Sequence, residues 1–240
     1  MVYFLPAIMI KRVLFRKGNK YYWRLGDLHT SHGVVSAQDI INFNRLKSHN
    51  GNDFIAMDAN LSDNIERFKR GPAVMVPKDI GYIIAVTGIN KDSVVVEAGS
   101  GCGIMTSYMA NIAKKVYSYE RRKEFLEIAE KNVHSLNFSN VEFKNKDVYE
   151  SIDERNYDLL VLDLAEPWRA DASGLKPGGF LVAFLPTIVQ VMDLAEKAVN
   201  LLLIKAVELM EREWIVEKQK VRPKSEMIAH TGFIVFMRRI

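Results

Sequence analysis

The sequence predicts an α/β fold: a parallel sheet with helices on both faces, joined to a small N-terminal β-rich domain. Three observations carry this. From Asp79 onward, short apolar runs alternate with segments of helical period, as expected for parallel strands buried on both faces. A glycine-rich turn, Gly99-Ser100-Gly101-Cys102-Gly103, follows an apolar run and precedes a helical one. The opening residues instead pair β-prone runs around turn residues. At roughly 150 residues per domain, the 240 residues divide into a small domain over 1–60 and a large one over 61–240.

The elements follow in order. Ile8, Ile10 and Val13-Leu14-Phe15 lead into Lys17-Gly18-Asn19-Lys20, then Tyr21-Tyr22-Trp23-Arg24-Leu25. Two β-prone runs about a Gly-Asn turn read as a hairpin. Its aromatics either pack a small core or face a ligand. Residues 93–98 read as a buried strand, 104–113 as a helix, 116–119 as a strand, and 122–136 as a helix with apolar Phe125, Leu126, Ile128, Ala129, Val133 and Leu136. Strands follow at 141–143, at 157–163 through Leu159-Leu160-Val161-Leu162, and at 180–185 after Lys176-Pro177-Gly178-Gly179. Residues 188–200 read as a helix, and strands at 206–209 and 228–237 close the chain.

Composition narrows the class. Hydrophobic residues make up 48% and charged residues 26%, which is globular composition and excludes disordered and collagen-like chains. No apolar run approaches the ~18 residues that span a bilayer. The apolar start is short and lacks a small-residue cleavage site, so no signal peptide is read. The single cysteine, Cys102, permits no internal disulfide and fits a reducing, cytoplasmic compartment. No histidine or cysteine cluster has metal-ligand spacing. The net charge of +4 is uneven: residues 1–49 carry +6, residues 211–240 carry +3, and the stretch between carries −5. Basic ends on an acidic body suit either a polyanionic partner or a merely soluble surface.

The glycine turn spaces its glycines G-x-G-x-G. The dinucleotide fingerprint needs a glycine where Ile104 stands, so NAD is disfavoured. Glycines there allow a tight turn and close backbone approach to a ligand. Glu97 lies near the end of the preceding strand. Glu120 ends the next one, 21 positions after Gly99, where it can accept hydrogen bonds from two ribose hydroxyls; an ordinary surface glutamate is the alternative. Asp147, followed by Val148, lies just after the third strand, and Asp163 ends the fourth. Open α/β sheets bind ligands beyond the carboxyl ends of their strands. Four such positions in order resemble the S-adenosylmethionine-dependent methyltransferase fold, a Rossmann-like class I sheet. That resemblance covers residues 75–240 and implies S-adenosylmethionine bound by Glu97, Gly99, Ser100, Gly101, Cys102, Gly103, Glu120, Asp147, Val148 and Asp163.

Asp163-Leu164-Ala165-Glu166-Pro167-Trp168 narrows the substrate. It resembles the D-L-P/M-E/D-P-W segment of the tRNA (adenine-58-N1)-methyltransferases. Pro77-Lys78-Asp79 is similar to that family's Y-P-K-D segment. Arg222-Pro223 with Ala229-His230-Thr231-Gly232-Phe233 is similar to its R-P…G-H-T-G-F strand, and Leu28-His29-Thr30-Ser31-His32-Gly33 suits its N-terminal domain. The resemblance spans nearly the whole chain in order. Val76 departs from it, standing where the family often has an aromatic; Ala165 and Ala229 are minor departures. What it implies is methylation of adenine N1 in the tRNA T-loop at position 58, with position 57 as a further target in archaeal relatives, by a homotetramer.

The chemistry gives Asp163 a role of its own. Adenine N1 carries a lone pair at neutral pH and needs no deprotonation, so the protein must supply alignment and a site for developing positive charge. A carboxylate at Asp163 can accept the N6 hydrogen and stabilise the cationic ring. Glu166, Pro167, Trp168 and His230 are the substrate-side candidates. Trp168 either stacks on an extruded base or packs its own loop, and His29, His32 and His230 are structural or RNA-facing. Lys11, Arg12, Arg16, Lys17 and Lys20 are candidate phosphate contacts. A small-molecule or isoaspartate methyltransferase fits the basic N-terminal unit and the Glu-Pro-Trp segment less well. A non-catalytic tRNA-binding subunit would not need the intact glycine turn and Asp163.

Overall fold

The computed structural model describes residues 9–71 and 74–240; the apolar opening, Ile8 included, lies outside the described residues. The chain divides into two compact units. One holds the described residues up to Lys69 together with His134–Asn137, the other Arg70–Val133 and Phe138–Ile240.

In the first unit, β1 (Arg12–Arg16) and β2 (Asn19–Trp23) form the hairpin. Its turn is Lys17-Gly18, one residue earlier than Gly-Asn, and Asn19 already pairs with Arg16. Both turn residues are left-handed, with φ of 44° and 81°, the geometry that matches strand twist in a two-residue loop. Next come β3 (Leu28–Thr30), β4 (Gly33–Val35), α1 (Ala37–Asn42), β5 (Arg45–Lys47), β6 (Asp53–Asp58) and α2 (Leu61–Ile65). Ser36 caps α1 by accepting the Asp39 N–H at 3.0 Å, satisfying one of the otherwise unpaired donors of the first turn. The antiparallel sheet runs β2-β1-β6-β5, and Leu14, Trp23, Val35, Ile40, Leu46, Phe54 and Ala56 form its core. Trp23 is therefore a core residue, and Tyr21 packs against it. The Tyr22 hydroxyl donates to Glu66.

The five candidate phosphate contacts separate here. Arg12 is buried, donating to the carbonyls of Ile40, Phe43 and Ala56 and pairing with Asp58 at 3.3 Å. Lys20 pairs with Asp63 at 2.7 Å and Glu66 at 2.8 Å. Arg16 donates to the Asp53 carbonyl at 3.1 Å and to the Asn52 side chain. Arg12 is thus taken up inside the unit, whereas Arg16 and Lys20 stay partly exposed beside their partners. Lys11 and Lys17 are exposed.

The second unit contains α3 (Pro77–Thr87), β7 (Val94–Ala98), α4 (Ile104–Ala110), β8 (Lys115–Tyr119), α5 (Lys123–His134), β9 (Val141–Lys144), β10 (Tyr157–Leu162) and β11 (Leu175–Leu185). It ends with α6 (Ile188–Lys197), β12 (Leu201–Glu208), β13 (Trp214–Glu217), β14 (Lys220–Pro223) and β15 (Phe233–Arg239). The seven-stranded sheet runs β12-β15-β11-β10-β7-β8-β9. The five strands from β9 to β11 are parallel, but β15 is antiparallel to both β11 and β12. The sheet is thus mixed and not wholly parallel. After β12 the chain has no crossover helix, only the β13–β14 hairpin, and without a crossover a returning strand must run antiparallel.

Three boundaries also move. β11 starts at Leu175 because Leu175 already pairs with Tyr157, ahead of an irregularity in register. β12 starts at Leu201, and β15 only at Phe233. Val96, Ala98, Leu160, Leu162, Leu181, Ala183, Val235 and Met237 belong to one buried cluster, with alternate residues of four adjacent strands turned to the same face. No helix among the described residues is long and apolar enough to cross a membrane.

Candidate active site

β7 is flanked by β8 on one side and β10 on the other, so successive crossovers leave it in opposite directions. A crevice opens beyond the carboxyl ends at such a switch point. It has a volume of about 410 Å³, within the range of small-molecule sites. Gly99, Glu120, Asp147, Val148, Asp163 and Glu166 all line it.

The glycine turn is shaped by what lies against it. Gly99 has φ of 92°, and a Cβ there would sit 2.5 Å from the Asp163 carbonyl oxygen. The turn and the end of β10 are therefore in backbone contact, closed by Asp163 N–H donating to Ala98 O at 3.0 Å. Gly103, φ 82°, is pressed against α5, where a Cβ would meet Val133 at 2.7 Å. Gly103 thus serves packing beneath the turn and does not line the crevice. Gly101 is open: its φ is 55° and a Cβ there would come no nearer than 3.9 Å, to the Gly99 carbonyl oxygen.

Each acid has a distinct setting. Glu120 is buried. It accepts the Arg122 N–H at 3.0 Å and the Gly101 N–H at 3.4 Å, and pairs with Arg122 Nε at 3.4 Å. Asp147 accepts the Tyr149 N–H at 2.9 Å and pairs with Arg121 at 3.5 Å. Glu97 lies beneath the turn, accepting from Thr106 at 2.6 Å and Ser118 at 2.9 Å, while Ser100 and Ser118 hydroxyls meet at 2.6 Å. Burial pushes Glu97 up to about 7, against the hydrogen bonds of Thr106 and Ser118. Glu97, Ser100, Gly101 and Cys102 face a smaller space on the other side of the turn, which Asp163 also borders.

Asp163 is exposed at the crevice that it lines. Its carboxylate has no side-chain partner among the described residues. Loss of hydration, then the neighbouring Glu120 charge, push it up to about 6. An unpaired carboxylate at the mouth of a ligand crevice is the pattern of a group that awaits a donor.

Glu166 borders the crevice and is held by Arg169 at 2.7 Å. Pro167 and Trp168 do not reach the crevice. They line a separate cleft of about 230 Å³ with Leu194 and Lys197. Trp168 packs against the sheet core, and the Lys197 ammonium lies 4.6 Å from its ring. The 3-10 turn Pro167–Arg169 holds both residues at that second cleft. His230 is also away from the crevice, bonded to Glu208 and 3.3 Å from the Pro186 carbonyl. Glu208 holds its imidazole above the usual pKa. Residues that sequence reasoning missed are Arg121, Arg122, Lys146, Tyr149 and Arg169, all lining the crevice. Adjacency to Glu120, Asp147 and Glu166 was the signal available.

The donor set fits S-adenosylmethionine: a buried carboxylate for ribose hydroxyls, Asp147 for a purine edge, and an open backbone at Gly101. Strand order, antiparallel β15 and crevice together define a class I S-adenosylmethionine-dependent methyltransferase. Residues 69–231 match the family model described as the tRNA methyltransferase complex GCD14 subunit, and the chain belongs to that family. It is 34% identical to the tRNA (adenine(57)-N(1)/adenine(58)-N(1))-methyltransferase TrmI of Methanocaldococcus jannaschii, over 95% of this chain and 94% of the relative. Among solved structures it is similar to a SAM-dependent O-methyltransferase from Thermotoga maritima, with a TM-score of 0.85, 26% identity, and 99% and 94% of the two chains covered. It is similar also to tRNA (m1A58) methyltransferase TrmI from Aquifex aeolicus, with a TM-score of 0.81, 27% identity, and 97% and 98% covered.

Proposed function

We infer that this chain transfers a methyl group from S-adenosylmethionine to N1 of adenine in the tRNA T-loop, at position 58 and, as in the named archaeal relative, at position 57. The observation that carries the reading is the unpaired Asp163 carboxylate in the crevice of a chain of this family. When bound, the cofactor supplies a methyl group already activated on a sulfonium. Glu120 would accept hydrogen bonds from the ribose hydroxyls, Asp147 and Val148 would border the purine, and the backbone from Gly99 to Gly101 would hold the methionyl part. Asp163 accepts a hydrogen bond from the adenine N6 amino group, holds N1 in line, and offsets the positive charge that passes to the ring as the N1–methyl bond forms and the methyl–sulfur bond breaks. Glu166, fixed by Arg169, borders the entering base.

The N-terminal unit supports tRNA through Lys11 and Lys17, whose ammonium groups are exposed. Leu202, Leu203 and Ile204 on β12, an edge strand, and Trp214, Val216 and Val221 on the β13–β14 hairpin are exposed apolar residues. An uncovered apolar edge strand is a pairing surface, which supports a homotetramer covering it. The protein works in the cytoplasm, where its buried Cys102 remains reduced. A non-catalytic subunit is disfavoured by Gly99 and Asp163, which are fitted to each other. The test is mass-spectrometric mapping of unmodified tRNA after incubation with protein and cofactor. N1-methyladenine at 58 is expected; methylation confined to another base or atom would overturn the reading.

A further inference from the structure

Asp79 is a fully buried carboxylate that the reaction above does not use. It sits in the first turn of α3, and both its oxygens are engaged. Lys78 Nζ donates to Oδ1 at 2.7 Å, and Thr231 Oγ1 donates to Oδ2 at 2.8 Å. Lys78 Nζ also donates to Thr231 Oγ1 at 2.7 Å. Three side chains close a polar ring between segments 152 residues apart. A buried ion pair is weak evidence for stability, because desolvation offsets the attraction. What such a ring does supply is fixed geometry.

The segments it joins both border the reaction edge of the sheet. Just before α3, Val74 and Met75 line the space that Asp163 and the glycine turn share. Just after Thr231, Gly232 lies where a Cβ would be 2.7 Å from the Phe184 ring and 3.1 Å from the Leu185 carbonyl. Phe184 and Leu185 end β11, the neighbour of the strand that presents Asp163. The ring therefore ties the wall facing Asp163 to the end of the adjacent strand.

We propose that Lys78, Asp79 and Thr231 are positioning residues, a clamp that sets Val74 and Met75 against Asp163 and so holds the Asp163 carboxylate where it meets the reacting base. This rests on the methyl-transfer reading above. The clamp touches neither cofactor nor base; it acts through the wall. A displacement of about 1 Å at a reacting centre costs on the order of 10²-fold in rate.

The discriminating variant is Thr231→Val, which removes the hydroxyl, nearly conserves shape and leaves the Lys78–Asp79 pair in place. At saturating cofactor and tRNA, its single-turnover rate falls at least about tenfold, while its Kd for S-adenosylmethionine stays within about twofold of wild type. Thr231→Ser restores the hydroxyl and returns the rate to within about twofold. An unchanged rate for Thr231→Val, a cofactor affinity that falls in step with the rate, or no rescue by serine each overturns the clamp. If Thr231→Val does not fold, Thr231→Ala is judged by the same criteria, and failure of both to fold assigns the ring to stability alone and overturns the proposal. The wild-type arm separates the two claims: a wild type that forms no N1-methyladenine sinks the substrate reading and the clamp with it. A productive wild type beside unaffected variants sinks only the clamp.

Discussion

Gly99→Ala tests the backbone contact on which the crevice depends. At φ of 92°, an alanine is strained, and left-handed backbone costs an L-residue about 1–2 kcal/mol. Its Cβ would also lie 2.5 Å from the Asp163 carbonyl oxygen. That oxygen belongs to backbone and cannot rotate away, so the turn or the end of β10 must shift; overpacking of this kind costs typically ~1–3 kcal/mol. The two effects together destabilise by about 2–5 kcal/mol. For a chain of this size each kcal/mol lowers Tm by about 2–4 °C, which gives a drop of about 4–20 °C. Because the shift moves Asp163 as well, cofactor affinity and single-turnover rate fall with it. Thermal melting followed by calorimetric titration of S-adenosylmethionine measures both. A Tm within a degree of wild type, with unchanged cofactor affinity, would refute the contact.

Three further outcomes are expected. The methylation rate rises with pH through about 6, because Asp163 accepts the N6 hydrogen only as a carboxylate and its pKa is raised to about 6; Asp163→Asn flattens that limb of the profile, and a wild-type rate independent of pH from 5 to 7.5 would remove the carboxylate from the step. Trp168→Ala lowers stability by about 1.5–3 kcal/mol for the lost apolar contact yet leaves KM for tRNA little changed, as steady-state kinetics beside a melt would show; a large rise in KM at constant Tm would return the indole to the base. Lys11→Ala and Lys17→Ala each weaken tRNA binding and reduce the slope of log K against log salt by about one, whereas Arg12→Ala unfolds the N-terminal unit by stranding the carbonyls of Ile40 and Phe43; a filter-binding series across salt concentrations checks the first part and proteolysis the second.

The large sheet was legible because its strands are apolar on both faces and its ligand-side residues fall at strand ends. Val94–Ala98 and Tyr157–Leu162 appear within a residue or two of their sequence boundaries, and Gly99, Glu120, Asp147 and Asp163 gather on one crevice. The antiparallel β15 was not legible: an apolar run carries no direction, and direction follows from the missing crossover. Short strands such as Arg45–Lys47, where only Leu46 is buried, have too few apolar residues to declare themselves. At the site, the order of residues along the chain did not tell which way a side chain turns. Trp168 follows Asp163 by five positions, but it lies in a 3-10 turn and packs, half-buried, against the sheet core. Net charge misled for a related reason. It counts Arg12 and Lys20 as free cations, although one is buried under carbonyls and the other is held by two carboxylates.

The most direct test of the account is a single-turnover comparison of wild type and Asp163→Ala, with saturating S-adenosylmethionine and unmodified tRNA and with the product base identified by mass spectrometry. Wild type is expected to yield N1-methyladenine in the T-loop, and the folded variant to react more slowly by ~10²–10³, the usual cost of losing one transition-state contact. A variant within a few-fold of wild type would contradict the central role given to Asp163, and a wild-type product other than N1-methyladenine would contradict the reaction itself.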